Sequence, residues 1–334
     1  MFTIVSMMRE ELSVIRRFVD YHLKQDVRKI LIFFDGPEGE KFKDFFAQNY
    51  DADRVSYTVL LPSDYPESTE QTPDELGDSS VISFGTKQEY VHGLAQGLSP
   101  TEWVLSLDAD EFLMKSKDLA VQIALLPEDI SSFRIPVAEA VWGPDDVFGS
   151  EFGCTYFRTP FRTPYSNRTK SRKIRPFARI LGRLAYGKDR WLFRRNVAGY
   201  SAGRVLFRRS AKFDWIGPHR AVKDGITVTK WSRTLFRKKA TMWVAHFDAI
   251  GFERWVEKLR RRYTKEIYAL RESEQRKYQF KEFALAHKEF LKAGDDAALR
   301  ALMHRFYGFS AFQYRLLHRY NCAFRAQVFS STSD

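Results

Sequence analysis

Apolar and polar positions alternate in a regular way over the first 115 residues. Phe2–Met8 is a short apolar run and reads as a strand. Over Glu11–Lys24, apolar residues at 12, 14, 15, 18, 19 and 23 fall at helical spacing. Lys29–Phe34 is rich in β-formers and ends at Asp35-Gly36-Pro37, a turn signal. A short helix over Phe42–Ala47 and a strand over Arg54–Leu61 follow. Pro62–Asp78, with its Pro, Ser, Thr and acidic residues, reads as a loop. Thr86–Gln96 is helical and Trp103–Leu107 is another apolar strand. Strand, helix and strand in this succession predict a parallel α/β sheet with helices on its faces.

The pattern then changes. Phe133–Val141 reads as one strand and Glu151–Lys188 as loop, with a basic stretch at Arg168–Lys173. Arg204–Arg209, Ile226–Trp231 and Thr241–His246 read as short strands. From Phe252 the spacing is helical, over Phe252–Glu266, about 275–292 and 296–307. The expected division is a catalytic domain over 1–250 and a basic helical extension over 251–334.

Charge divides the chain too. Residues 1–150 hold 13 basic and 27 acidic residues; the remainder holds 41 and 15. A basic half attracts nucleic acid, anionic lipid or an anionic substrate. The two cysteines, Cys154 and Cys322, are far apart in sequence and form no metal-type pair. With no apolar run of membrane-spanning length and no secretory leader pattern, the expected location is cytoplasmic. The basic half would allow a peripheral position at the membrane's inner face.

Ligands of open α/β sheets bind beyond the carboxyl ends of the strands. Glu11 follows the first predicted strand, Asp35 ends the second, and Asp108 and Asp110 follow the fourth. In Trp103-Val104-Leu105-Ser106-Leu107-Asp108-Ala109-Asp110-Glu111-Phe112, an apolar strand delivers two carboxylates two residues apart. Hard divalent cations take oxygen ligands, and Mg2+ or Mn2+ bridges carboxylates to a diphosphate. A D-x-D triplet alone is weak evidence, because any polar loop after a strand can supply one.

The chain resembles the GT-A glycosyltransferases of the family-2-like group. The resemblance lies in Met8-Arg9-Glu10-Glu11, Phe18-Val19-Asp20-Tyr21-His22, Ile30–Asp35, Gln88-Glu89-Tyr90 and, above all, Trp103–Phe112. A thinner match is His246-Phe247-Asp248 with Phe252 and Lys258. Glu10 stands where Asn is usual and Phe247 where Tyr is usual. The resemblance implies a Rossmann-like mixed sheet and sugar transfer from a nucleoside-diphosphate sugar (a UDP-sugar first) to a glycan or lipid-linked acceptor. It implies that Asp35 contacts base or ribose, that Arg9 and Glu11 line the nucleotide pocket, and that Asp108 and Asp110 form the D-x-D. Asp108 and Asp110 would hold Mn2+ or Mg2+, Asp110 as the more direct ligand, and His246 would be a third ligand or a diphosphate contact.

Other assignments come from the residues alone. Lys87, near the start of its helix, is a phosphate-contact candidate with a solvated charge as the bland alternative. His22 reads as structural. A proton acceptor for the acceptor hydroxyl is sought among Asp145, Asp146 and His219, with Glu139, Asp214 and Asp224 as further acids beyond the metal motif. Two other functions stay open. A metal-dependent nucleotidyltransferase also uses paired carboxylates, but Ser6-Met7-Met8-Arg9-Glu10 is not a Gly-rich phosphate loop. A nucleic-acid-binding protein would suit the basic half, but it leaves the acidic strand ends unexplained and lacks a zinc-finger or RNP motif.

Overall fold

The computed structural model describes residues 1–66, 84–114, 116–161, 171–193, 195–199, 201–231, 242–263 and 274–329. Two compact units divide the chain: Met1–Pro136 with Ala202–Val244, and Val137–Ser201 with Ala245–Asp334. The division at residue 250 is a separate matter, a proposal about which part carries catalysis.

In chain order the first elements are β1 (Phe2–Met8), α1 (Leu12–Leu23), β2 (Val27–Asp35), α2 (Lys43–Asn49) and β3 (Val55–Leu60). Next come α3 (Phe84–Leu98), β4 (Trp103–Ser106), β5 (Glu111–Met114), α4 (Ser116–Ala124) and β6 (Ser132–Ile135). β7 (Val137–Val141), β8 (Tyr156–Arg158) and α5 (Ser171–Tyr186) belong to the second unit, and β9 (Arg204–Arg208) returns to the first.

The first unit is a mixed α/β fold around a seven-stranded sheet. β3, β2, β1 and β4 lie side by side and parallel. β9 then joins antiparallel to β4, β6 antiparallel to β9, and Lys230–Trp231 parallel to β6. All seven residues of β1 are buried, as a central strand covered on both faces requires. α1 buries Val14, Ile15, Phe18, Val19 and His22, one helical face. Val91 and Ala95 of α3 pack with Val5, Leu31, Phe33, Val104 and Phe207 in one core cluster.

His22 is a core residue. Nδ1 lies 2.8 Å from the Phe18 carbonyl and Nε2 accepts the Leu113 N–H at 3.3 Å, so the ring is neutral with its proton on Nδ1. Burial pushes its pKa down to about 3.

Phe133–Val141 is two strands, not one. They part at Pro136, which has no N–H to continue the ladder that β6 forms with β9. Likewise Ile226–Thr227 and Lys230–Trp231 are separate strands in different sheets; the former closes a three-stranded sheet with Trp215–Gly217 and Arg220–Lys223. The expected loop 151–188 contains β8 and the 16-residue helix α5. Its basic stretch 168–173 lies largely outside the described residues, as does the expected loop from 67 to 78.

The second unit pairs β7 with β8, and β8 with Ala323–Arg325, all antiparallel. Helices Phe252–Tyr263, Glu274–Ala293, Ala297–Tyr307 and Ala311–Arg319 follow, the last beyond the helical pattern read from the sequence. Its core holds Trp142, Phe157, Phe247, Phe283 and Tyr307, each almost wholly buried. No helix among the described residues is long and apolar enough to cross a membrane.

Candidate functional site

In the first unit the candidate residues gather where parallel strands end. Asp35 is the last residue of β2. Its Oδ1 accepts from the Tyr65 hydroxyl at 2.9 Å and from Lys87 Nζ at 2.7 Å. Lys87 also lies 4.8 Å from the centre of the Tyr65 ring. Both charges are mostly shielded, with side-chain exposures of 20% for Lys87 and 16% for Asp35. Lys87 is therefore a neutralising partner of Asp35, not a solvated charge. The turn after Asp35 requires Gly36, whose φ is +131° and whose Cβ would meet Glu38 Oε2 at 2.5 Å.

Arg9 follows β1 and pairs with Glu38, both well exposed. Glu11 caps α1 through its backbone, accepting from the N–H groups of Val14 and Ile15 at 3.0 and 3.1 Å.

The D-x-D is held as a turn. Glu111 N–H donates to the Asp108 carbonyl at 3.1 Å, and Asp108 N–H donates to Glu111 Oε2 at 3.0 Å. Arg204, the first residue of β9, places its guanidinium against both the Asp108 and the Glu111 carboxylates. Burial pulls the Arg204 pKa down to about 9, still charged at neutral pH between two anions. Asp108 is thus anchored, Ala109 is buried, and Asp110 is half-buried at the entrance to β5. The roles of Arg204 and Glu111 escape sequence reading, because nothing local links residue 204 to residue 108.

His219 sits in the turn between Trp215–Gly217 and Arg220–Lys223, with Nδ1 2.8 Å from the Gly203 carbonyl. Burial, then the Arg204 charge, holds its pKa well below the usual histidine range. His92 of α3 bonds the Ile216 carbonyl at 2.9 Å and the Ser106 hydroxyl at 2.8 Å. Burial pushes its pKa down to about 4.

The second unit carries a buried ionic constellation. His246 ends the strand Trp243–His246, and Asp248 follows two residues later; each is about 6% exposed. Phe247 between them is fully buried and packs on Phe152 and Phe157. His246 Nε2 and Asp248 Oδ1 are 4.0 Å apart. Together they form an imidazole–carboxylate donor pair that could hold a divalent cation. Lys258 Nζ donates to Asp248 Oδ1 at 2.7 Å, and the Tyr307 hydroxyl donates to Oδ2. Burial, reinforced by Asp248, keeps the Tyr307 phenol protonated far into the alkaline range.

Glu139 of β7 lies beside this pair. It accepts from Arg158 Nε at 2.5 Å and from the N–H groups of Ala198 and Gly199 at 3.0 and 2.5 Å. Burial works against the Arg158 charge, and Glu139 more than offsets it. Gly199 ties the two groups together. A Cβ there would stand 3.0 Å from Glu139 Oε1, 3.3 Å from His246 Cε1 and 3.4 Å from Asp248 Oδ2. Asp248, Arg158, Gly199 and Tyr307 are the residues to which sequence reading assigns no role. The signal for Asp248 is the H-x-D spacing, which puts alternate residues on one side.

Asp145 and Asp146 organise a turn of the second unit. Asp146 accepts from the N–H groups of Gly143 and Thr155 at 2.8 and 3.0 Å and from the Thr155 hydroxyl at 2.6 Å. Asp145, 60% exposed, pairs with Arg325 at 3.0 Å and accepts from the Tyr156 hydroxyl at 2.9 Å.

No family profile matches the chain, and no curated protein matches it in sequence. Among solved structures it is similar to S. aureus TarS 1-349 in complex with UDP-GlcNAc, at 13% identity over 91% of this chain and 81% of that one, TM-score 0.32. It is similar to the mannosyltransferase PcManGT from Pyrobaculum calidifontis in complex with GDP-Man and Mn2+, at 12% identity over 90% and 78%, TM-score 0.31. It is also similar to HddC from Yersinia pseudotuberculosis at 13% identity over 45% of this chain, TM-score 0.26; the match spans 64% of HddC, under two thirds of its length. At such identities and scores the functional reading rests on this chain's own residues.

Proposed function

We propose that the chain is a metal-dependent glycosyltransferase that moves a sugar from a nucleoside-diphosphate sugar, with UDP-sugars as the first candidates, to a hydroxyl of a glycan or lipid-linked acceptor. The observation that carries this reading is the set of carboxylates at the carboxyl ends of the parallel strands β2 and β4, where open α/β sheets take their ligands. In this proposal Asp35 receives the base or ribose, with Lys87 beside it to meet the first phosphate. Arg9 and Glu11 line the same pocket. The Arg204 clamp on Asp108 and Glu111 fixes the turn that presents Asp110. Asp110 would be a direct ligand of Mn2+ or Mg2+, and His246 is kept separately as a candidate metal or diphosphate contact. When bound, the cation would neutralise charge on the departing diphosphate.

The reaction forms a bond from the acceptor oxygen to the anomeric carbon and breaks the bond from that carbon to the diphosphate oxygen. The acceptor proton passes to a base. Asp145 is our candidate, because its carboxylate is exposed and its position is set by Arg325 and Tyr156. Asp146 secures the same turn, and burial, with the Arg204 charge beside it, makes the His219 imidazole a weak base.

A donor-turnover assay tests the reading. Purified protein is incubated with UDP-, GDP- and dTDP-sugars, with and without Mn2+, and released nucleoside diphosphate is measured. Metal-dependent release from one donor is expected. Release of pyrophosphate from a nucleoside triphosphate and a sugar phosphate would instead establish a nucleotidyltransferase.

A further inference from the structure

Helix α5 is amphipathic in an unusual way: its outward face is apolar and basic together. Its inner face is closed, with Leu181, Ala185 and Tyr186 buried. Phe177, Ile180 and Leu184 stand on the other face at helical spacing, 44%, 56% and 59% exposed, and Trp191 just beyond the helix is 58% exposed. Tyr320, itself 43% exposed, packs against Phe177 with ring centroids 5.1 Å apart. Single exposed apolar residues are ordinary, but several on one helix face are not. Arg179, Arg183 and Lys188 are exposed on the same segment. Residues 152–188 contain ten Lys and Arg and not one Asp or Glu.

We infer that α5 and the segment through Trp191 dock on an anionic lipid surface. A helix that combines aliphatic and aromatic side chains with Arg and Lys on one exposed side lies in the headgroup plane, with the apolar residues entering the acyl boundary. Trp and Tyr favour that boundary because each carries an apolar body and a polar tip. Charge selects among occupants. A second copy of this face would set Arg179, Arg183 and Lys188 against the same three cations, so self-association is opposed. A nucleic acid would satisfy the charges but leaves Ile180 and Leu184 without a partner, whereas a bilayer satisfies both. This inference does not rest on the transferase reading, and its test measures no transfer activity, so either can fail alone.

The experiment is flotation of the full chain with phosphatidylcholine vesicles, with and without phosphatidylglycerol. Wild type is expected to float with the anionic vesicles only, and to be released by salt. The triple variant Ile180→Ser, Leu184→Ser, Trp191→Ser is expected to lose about tenfold or more in binding. Arg179→Gln and Arg183→Gln are expected to lose roughly fivefold each. Leu291→Ser, which removes a 70% exposed leucine on the helix Glu274–Ala293, is expected to bind as wild type. Circular dichroism checks folding, and the two arginine variants keep the test decisive if the triple variant does not fold. Failure of wild type to float would overturn the inference. So would equal binding to neutral vesicles, undiminished binding by the folded variants, or loss of a homodimer or of bound RNA in their place.

Discussion

The two units handle charge in opposite ways. In the first, Asp35 with Lys87 and Asp108 with Arg204 stand at strand ends and reach solvent on one side, while Arg204 also forms a buried pair with Glu111. In the second, Glu139, Arg158, His246 and Asp248 are all under 10% exposed and packed among Tyr307, Gly199 and backbone N–H groups. The first arrangement leaves side chains available to a ligand. The second is built into the core. A buried charge that loses its partner costs far more than an exposed one.

The comparison can be broken by removing one cation from each unit. Arg158→Met removes the buried partner of Glu139 and is expected to cost about 3–5 kcal/mol, measured as the shift of the urea midpoint with a probe in the second unit. A loss under about 1 kcal/mol would show that the cluster is dispensable for folding.

Acid sharpens the contrast from the other side. The first unit buries His22 and His92 as neutral rings, with pKa values pushed down to about 3 and about 4. Each stays unprotonated when folded and takes up a proton on unfolding below about pH 6.5. Stability is therefore intact above that pH and falls as pH drops through it toward the folded values. Between pH 7 and pH 5 the loss is about 2 kcal/mol for each histidine. Denaturant titrations at the two pH values should show it. A stability of the first unit that is flat with pH would contradict the buried neutral rings.

Lys87→Met has the smallest expected effect on folding, about 1 kcal/mol or less, because its pair with Asp35 keeps contact with water. Its effect should fall on the donor instead, at roughly tenfold in affinity, read by calorimetry. A variant that destabilises strongly but binds donor normally would make Asp35–Lys87 a structural pair.

The same contrast explains what was legible in the sequence. β1, β2, β4 and α1 show in the pattern because each is a run with one dominant period, and the strand-end acids are read off by position. Arg204 against Asp108, or Arg158 against Glu139 and the Phe306 carbonyl, depends on pairings made by the folded chain and leaves no local trace. α5 is hidden for a different reason. The whole stretch 151–188 reads as loop for its repeated Arg, Thr and Pro, and the apolar residues of α5 face outward as well as inward. Pro136 is the opposite case: the break was written in the sequence, but the apolar run around it suggested one continuous strand.

The central claim is that Asp110 serves a metal-bound nucleotide sugar. Its most direct test is calorimetry of UDP-, GDP- and dTDP-sugars, with and without Mn2+, on wild type and on Asp110→Asn. The account predicts Mn2+-dependent binding of one donor by wild type, weakened about a hundredfold in the variant, together with an unchanged thermal transition. Binding of that donor by Asp110→Asn with wild-type affinity and wild-type metal dependence would contradict it.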